Sequence, residues 1–256
     1  MSGMTDRDVA ERALACLDLT DLTDSCGEAE IETLCARAET PFGAVAAVCV
    51  WPRFVSLARE RLRMSRVKVA TVVNFPFGGE RLKPAVAETE QALADGADEI
   101  DVVLPFRAFA EGRADAAARL LDGVRRAAGG RTLKVILETG MLREPGLIRR
   151  AADLAIAEGA DFVKTSTGKV EVNATPEAAE AILDAVEANP SRPVGLKVSG
   201  GVRTLADART YLEIASRRMG ADWATPETFR FGASGLLSAL GATLGDGEAA
   251  ADESAY

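Results

Sequence analysis

The stretch GADFVKTSTGKV (residues 159–170) carries the pattern that decides the fold of this chain. A short apolar run of strand type holds Lys164 in its middle and then breaks into small hydroxyl residues, a glycine and a second lysine. A lysine on a surface strand costs little, because its long stem lies on apolar neighbours while the ammonium stays in water. A lysine held at the end of a buried strand is instead a candidate nucleophile. Only the rest of the chain decides between these two interpretations.

Eight runs of strand type follow one another along the chain, separated by segments with apolar residues at helical spacing. They cover residues 13–19, 44–51, 67–75, 98–106, 133–139, 161–166, 193–199 and 229–233. Eight strand–helix units of about 30 residues each predict a (β/α)8 barrel of the α/β class. We place its single domain at residues 1–244 and predict a mobile acidic tail at 245–256. A doubly wound sheet is the alternative, although no glycine-rich dinucleotide fingerprint follows the first strand.

The composition excludes several classes of function. A net charge of −9 argues against a nucleic-acid binder, which normally has a basic stripe. The longest apolar runs fall well short of the ~20 residues of a membrane span, and the first residues lack the order of a signal peptide. The four cysteines have no CxxC spacing and read as free thiols in a reducing compartment, which predicts a cytoplasmic protein.

The chain contains no histidine. A zinc site with imidazole ligands and a Ser–His or Cys–His nucleophile are therefore excluded. Acid–base chemistry must use carboxylates, lysine, tyrosine, cysteine or water.

Strand parity sorts the charged residues, because successive side chains of a strand point to opposite faces. Ile100 and Val102 suit the face that packs on the outer helices, so Glu99 and Asp101 should face into the barrel. The same alternation gives the whole inward set: Glu99, Asp101, Lys134, Glu138, Lys164 and Lys197. We interpret Glu99 and Lys134, which lie further from the strand ends, as a structural ion pair.

Asp101, Lys164 and Lys197 lie near the carboxyl ends of their strands, where the active sites of barrels form. They would also suit plain interior ion pairs, but two lysines and one aspartate leave one excess positive charge. Desolvating an unpaired ion costs several kcal/mol, to an order of magnitude. The cost is avoided when one lysine releases its proton, so one lysine should be neutral near pH 7. A neutral lysine is a nucleophile that forms Schiff bases.

Three loops after the last strands have the composition of an anion site. Glycine lets backbone N–H groups approach phosphate oxygens, and helix N-termini add a favourable dipole. In barrels, phosphate commonly binds at the loops after strands seven and eight. The predicted phosphate-binding residues are Gly168, Lys169, Gly200, Gly201, Arg203, Gly232 and Ser234.

The chain resembles the deoxyribose-phosphate aldolase family along nearly its whole length. The matching segments, in the order of the family, are LDLT, VCVWPRFV, TVVNFP, DEIDVV, LKVILETG, GADFVKTSTGKV, GLKVSGGVRT and RFGAS. The resemblance implies a class I aldolase without metal or cofactor. Such an enzyme cleaves 2-deoxy-D-ribose 5-phosphate reversibly to D-glyceraldehyde 3-phosphate and acetaldehyde.

The resemblance also implies roles for single residues. The Schiff-base lysine falls on Lys164, and the proton-transferring groups fall on Asp101 and Lys197. Positions that line the substrate pocket in the family fall on Asp18, Thr20, Cys49 and Thr167. Members of the branch that this sequence most resembles end in tyrosine, so we predict that Tyr256 enters the closed site and assists proton transfer.

The sequence departs from the family pattern at three places. Phe77 stands where the family often has histidine, Gly235 where it often has a second serine, and Trp51 where a smaller residue or tyrosine is usual. The loss at Gly235 removes one hydroxyl near the predicted phosphate.

Two other functions stay open at this point: a non-covalent sugar-phosphate isomerase or epimerase, and an inactive barrel that only binds phosphosugars. The expected partners are a phosphorylated sugar and acetaldehyde, with no nucleic acid and no membrane. A homodimer is the assembly that we consider.

Overall fold

The computed structural model describes residues 4–253, with side chains for residues 4–245. Eight parallel strands close into a barrel in which each strand pairs with the next along the chain and the last pairs with the first. They are β1 Leu17–Asp21, β2 Ala47–Val50, β3 Lys68–Val73, β4 Glu99–Val103, β5 Thr132–Ile136, β6 Phe162–Lys164, β7 Gly195–Ser199 and β8 Phe229–Ala233. The predicted (β/α)8 barrel is thereby confirmed.

Helices connect the strands on the outside of the barrel. They are α1 Asp6–Ala15, α2 Glu28–Arg37, α3 Val55–Arg61, α4 Leu82–Ala94, α5 Phe106–Ala110, α6 Ala114–Ala128, α7 Thr139–Leu142, α8 Pro145–Ala157, α9 Pro176–Ala188, α10 Leu205–Met219 and α11 Leu236–Glu253. A two-stranded hairpin (Glu39–Thr40 and Gly43–Ala44) and a 3-10 turn (Pro52–Phe54) complete the elements. Within the described residues, no helix combines the length and the apolar character needed to cross a membrane.

The first predicted strand, residues 13–19, is wrong in its first half. Residues up to Ala15 belong to α1, and the strand begins only at Leu17. The helix starts with a capping box, in which the Thr5 hydroxyl accepts from the backbone N–H of Asp8 and the Asp8 carboxylate accepts from the N–H of Thr5. The apolar residues that resembled a strand form the buried face of this helix. The other seven runs overlap the observed strands.

The barrel interior has an apolar side and a charged side. The apolar side comes from β2 and β3 and consists of Ala47, Cys49, Ala70 and Val72, on which Leu22 packs. The charged side comes from β4 to β8 together with β1. The outward-facing residues of the same strands, such as Ile100 and Val135, are fully buried against the helices. The structure therefore has the alternation that the sequence predicted, with the charged side chains inside the barrel.

One glycine makes room for this interior. A Cβ atom at Gly195 would lie 2.3 Å from the ring of Phe162 and 2.7 Å from the backbone oxygen of Thr228. The absence of a side chain lets the Phe162 ring fill the floor of the barrel, where the guanidinium of Arg230 lies 5.4 Å from its centroid.

The last helix crosses the boundary predicted at residues 244 and 245. It runs from Leu236 to Glu253, so the described part of the predicted tail continues the helix that follows β8. Tyr256 lies outside the described residues, and the mobility and role predicted for the end of the chain stay predictions.

Candidate active site

Seven ionisable side chains form one cluster inside the barrel, and none is more than 6% exposed. They are Asp18, Glu99, Asp101, Lys134, Lys164, Lys197 and Arg230. Three carboxylates face four cationic groups, so full ionisation would leave one excess positive charge. The sequence predicted one excess positive charge from Asp101, Lys164 and Lys197, and the larger cluster has the same excess. We call Asp101, Lys164 and Lys197 the rim layer, and Glu99, Lys134 and Arg230 the base layer.

In the rim layer, one carboxylate oxygen serves two lysines. Asp101 Oδ2 accepts hydrogen bonds from Lys164 Nζ at 2.7 Å and from Lys197 Nζ at 2.8 Å. Lys164 and Lys197 are register partners on β6 and β7, which brings both stems to the same height of the barrel. Lys197 Nζ also contacts Asp18 Oδ2 at 2.5 Å. Lys164 has Asp101 as its only carboxylate partner among the described residues.

In the base layer, each cation meets more than one carboxylate. Lys134 Nζ lies 2.5 Å from Glu99 Oε2, 2.8 Å from Asp101 Oδ1 and 3.5 Å from Asp18 Oδ2. The ion pair expected between Glu99 and Lys134 is present. It is not isolated, because Lys134 also donates to the carboxylate that binds Lys164.

Arg230 is the member of the cluster that the sequence analysis missed. Its guanidinium binds Asp18 Oδ1 at 2.6 Å and Glu99 Oε1 at 3.0 Å. The signal was available, because Phe229 and Phe231 are plainly outward residues and the alternation turns Arg230 inward.

The surroundings displace the pKa values of the lysines in different directions. Burial lowers the pKa of Lys164 and the neighbouring charge of Lys197 lowers it further, while Asp101 offsets only part of this. Burial acts on Lys197 too, but Asp101 and Asp18 outweigh it and the pKa of Lys197 is raised. For Lys134, Asp101 and Glu99 likewise outweigh burial, so its pKa is raised. Of the three lysines, Lys164 is thus the one that is expected to lose its proton.

The carboxylates of the cluster are held ionised. Burial raises the pKa of Asp101, but Lys134, Lys164 and Lys197 together hold it well below its ordinary value. Burial likewise raises the pKa of Asp18, but the charges of Lys197 and Arg230 outweigh burial and the pKa is lowered. Asp101 is therefore ionised at neutral pH and accepts the hydrogen bonds of the three lysines.

Lys164 lies at the floor of a cavity of about 420 Å³ at the carboxyl ends of the strands. All residues predicted to bind phosphate line this cavity: Gly168, Lys169, Gly200, Gly201, Arg203, Gly232 and Ser234. The backbone of Gly168, Gly200 and Gly201 has positive φ, between 81° and 87°, which favours glycine there. Asn173 and Ser199 also line the cavity and were not among the predicted residues.

Of the residues predicted to line the pocket, Thr20 and Thr167 do so. The Thr20 hydroxyl donates to the backbone oxygen of Asp18 at 2.8 Å, and that of Thr167 donates to Glu138 Oε2 at 2.5 Å. Cys49 is fully buried on the inner face of β2, where burial raises the pKa of its thiol.

Lys169 contacts two other side chains at the edge of the cavity. Its Nζ lies 2.9 Å from Asp24 Oδ1 and 5.6 Å from the centroid of the Trp51 ring. The tryptophan that departs from the family pattern thus packs beside a predicted phosphate ligand.

Comparisons with known proteins find relatives of one family along nearly the whole chain. The model of the DeoC/LacD family aldolase matches residues 6–241 of this chain. A deoxyribose-phosphate aldolase from Agrobacterium fabrum (strain C58 / ATCC 33970) is 50% identical over 252 residues, which cover 98% of this chain and 97% of that protein. An apo-form crystal structure from Toxoplasma gondii ME49, described as a deoxyribose-phosphate aldolase, superposes with a TM-score of 0.87 at 29% identity and covers 94% of this chain and 97% of that chain. A structure from Coccidioides immitis with the same description has a TM-score of 0.82 at 31% identity and covers 95% of this chain and 88% of that chain.

Proposed function

The chain belongs to the DeoC/LacD family of aldolases, and from this premise we propose that it cleaves 2-deoxy-D-ribose 5-phosphate reversibly to D-glyceraldehyde 3-phosphate and acetaldehyde. In this proposal Lys164 forms the Schiff base. The observation that carries it is a buried lysine of lowered pKa that lines the same cavity as the glycine loops.

The first step is the attack of neutral Lys164 on the aldehyde carbon C1 of the open-chain sugar. The carbinolamine then loses water, which requires a proton for the leaving hydroxyl. Lys197 is the proton donor of the proposal, because its raised pKa keeps it charged at neutral pH and it shares an oxygen of Asp101 with Lys164. The product of this step is a protonated imine on Lys164, which is an electron sink.

The second step breaks the bond between C2 and C3. The C3 hydroxyl loses its proton to Asp101, directly or through a water molecule, and becomes the aldehyde of glyceraldehyde 3-phosphate. The electron pair of the broken bond moves onto C2 and into the iminium, which becomes an enamine. Protonation at C2 gives the imine of acetaldehyde, and water releases the product from Lys164. Tyr256 stays our proposal for the group that moves the proton at C2.

The phosphate of the substrate is assigned to the loops that hold Gly168, Gly200, Gly201 and Ser234. Support comes from the positive φ angles of the first three, a backbone conformation that occurs in turns that bind anions, and from their place in the lining of the cavity. Ser234 lies two residues before α11, whose N-terminal N–H groups favour an anion.

An assay for aldehyde release from 2-deoxy-D-ribose 5-phosphate, with EDTA present, tests the reaction. Borohydride reduction with acetaldehyde should add mass to the peptide that contains VKTSTGK, at Lys164. An isomerase or epimerase would convert sugar phosphate without a trapped adduct, and an inactive binding barrel would do neither. An adduct on Lys169 or Lys197 would contradict the choice of nucleophile.

We further propose that the reaction takes place in the cytoplasm. The cysteines at positions 16, 26, 35 and 49 are all free and buried, which suits a reducing compartment. A homodimer is the assembly in this proposal, and sedimentation velocity tests it.

A further inference from the structure

Two buried side-chain atoms in the described part of the chain have no hydrogen-bond partner: Asn173 Oδ1 and Ser199 Oγ. Both residues line the cavity above Lys164. A buried polar group without a partner costs free energy, so each such group in a folded protein calls for an explanation. Their shared position indicates that a molecule in the cavity supplies the missing partner.

Of the two residues, Ser199 has the position that says more about the missing partner. It lies two residues after Lys197 on the inward face of β7, and its side chain is nearly buried, with 5% of the residue exposed. Its register partner on β8 is Gly232. A Cβ atom at Gly232 would lie 2.1 Å from Ser199 Oγ, so the hydroxyl occupies space that only a glycine leaves open.

The backbone of Ser199 is held in place by the neighbouring strand. Thr165 Oγ1 accepts from the N–H of Ser199 at 3.0 Å and donates to its carbonyl oxygen at 3.2 Å. Both backbone groups are thus fixed, while the hydroxyl stays free to bind. A hydroxyl on a rigid strand with one donor and two acceptor sites is suited to reading a ligand hydroxyl.

The order of groups along the substrate identifies that hydroxyl. This step rests on the proposed function, in which C1 is bound to Lys164 and the phosphate on C5 lies at the turn of Gly200 and Gly201. Ser199 lies between the two ends, directly before that turn. The C3 hydroxyl reacts with Asp101, which leaves the hydroxyl on C4.

We propose that Ser199 determines specificity by hydrogen bonding to the C4 hydroxyl of the sugar phosphate. In the direction of synthesis, this is the C2 hydroxyl of glyceraldehyde 3-phosphate. Ser199 then reads the configuration at that carbon, while the aldehyde and the phosphate are held by other residues.

The test compares D- and L-glyceraldehyde 3-phosphate as acceptors for acetaldehyde, because they differ only in the direction of this hydroxyl. The wild type should prefer the D form. In Ser199→Ala, the ratio of kcat/KM for D over L should fall roughly fivefold to tenfold, the scale of one hydrogen bond between neutral groups. Borohydride trapping of acetaldehyde on Lys164 should be unchanged, since acetaldehyde has no such hydroxyl.

Ser166→Ala is the matched control, because Ser166 is buried but its hydroxyl already lies 3.3 Å from Thr139 Oγ1. It should keep the ratio of the wild type. Ser199→Cys keeps the volume with a weaker donor and should give an intermediate ratio. An unchanged ratio in Ser199→Ala and Ser199→Cys, or equal losses for both enantiomers, would overturn the proposal. If the wild type itself neither traps acetaldehyde nor joins it to either acceptor, the proposed function fails instead.

Discussion

The base layer and the rim layer of the charge cluster each contain a lysine that is almost fully buried, but the pKa values of the two lysines are displaced in opposite directions. Lys134 and Lys164 lie on neighbouring strands with the same inward parity, 0% and 3% exposed. The pKa of Lys134 is raised and that of Lys164 is lowered. Burial lowers the pKa of both lysines, so burial alone does not explain the difference.

The number of carboxylates decides the direction. Lys134 has three carboxylates within 3.5 Å, whereas Lys164 has one oxygen of Asp101 and shares it with Lys197. A buried cation is stabilised only where its charge is matched. The cluster contains one carboxylate too few, and the shortage falls on the lysine that faces the cavity. The base layer thus has matched charges, whereas the rim layer holds a lysine whose charge is not fully matched and whose pKa is lowered.

The largest effect on activity is expected at the rim. Lys164→Met should reduce cleavage by about 10⁴-fold or more, because the imine cannot form. The free energy of unfolding should change by no more than about 1 kcal/mol, since Asp101 keeps Lys134 and Lys197 as partners. Cleavage assays and urea denaturation measure the two quantities. A loss of about 3–5 kcal/mol in the free energy of unfolding, the cost of breaking a buried ion pair, would show that Lys164 also stabilises the fold.

Lys134→Met should give the largest loss of stability. It leaves Glu99 and Asp101 without their shared cation, and breaking a buried pair costs about 3–5 kcal/mol. The folded pKa of Lys134 is raised, so its contribution is fully present below the unfolded value of about 10.5 and is lost only as pH rises through the folded pKa. The loss in urea denaturation should therefore be equal at about pH 7 and about pH 9. If Lys134→Met is as stable as Lys164→Met, the two layers do not differ in the way described.

Lys197→Met removes the charge that lowers the pKa of Lys164 and should raise that pKa. Activity near pH 7 should fall by roughly 10²-fold. Because the neutral amine reacts, activity rises as pH increases through the pKa of Lys164, so the acidic limb of the pH–rate profile should move to higher pH. Wild type and variant are compared over the same pH range. Profiles that coincide would argue against this coupling.

Deletion of Tyr256 should affect only the chemistry at the rim. We expect cleavage to slow by roughly 10²-fold, the scale of one acid–base group, while Lys164 still forms its imine. Single-turnover cleavage and borohydride trapping separate the two steps. Full cleavage activity in the truncated protein would remove Tyr256 from the mechanism.

The smallest effect is expected at the outer wall of the cavity. Ser234→Asp places a carboxylate in the proposed phosphate site and should raise KM for 2-deoxy-D-ribose 5-phosphate by about tenfold, through like-charge repulsion. KM for unphosphorylated 2-deoxy-D-ribose serves as the control and should change little. Equal changes for both sugars would mean that the phosphate binds elsewhere.

The sequence alone determined the barrel and the inward direction of its charges. Both follow from local rules: eight apolar runs with helical spacers require eight strand–helix units, and a strand alternates its faces whatever lies beside it. The alternation turns Asp101, Lys164 and Lys197 inward, and it would have turned Arg230 inward as well. The start of β1 was misplaced because residues 13–15 are apolar enough for either element, and the cap at Thr5 decided for the helix.

Only the tertiary structure decided which charges touch. Parity gives the face of a side chain but not its partners, because these depend on the register between strands and on the stagger of a closed barrel. The register brings Lys134 to three carboxylates and leaves Lys164 with one, a difference that neither residue's neighbours in the chain reveal. The same closure sets Ser199 opposite Gly232, far away in sequence, and leaves its hydroxyl without a partner among the described residues. Electrostatic energies depend on distances of a few ångströms, so the lowered pKa of Lys164 was fixed by folding and not by composition.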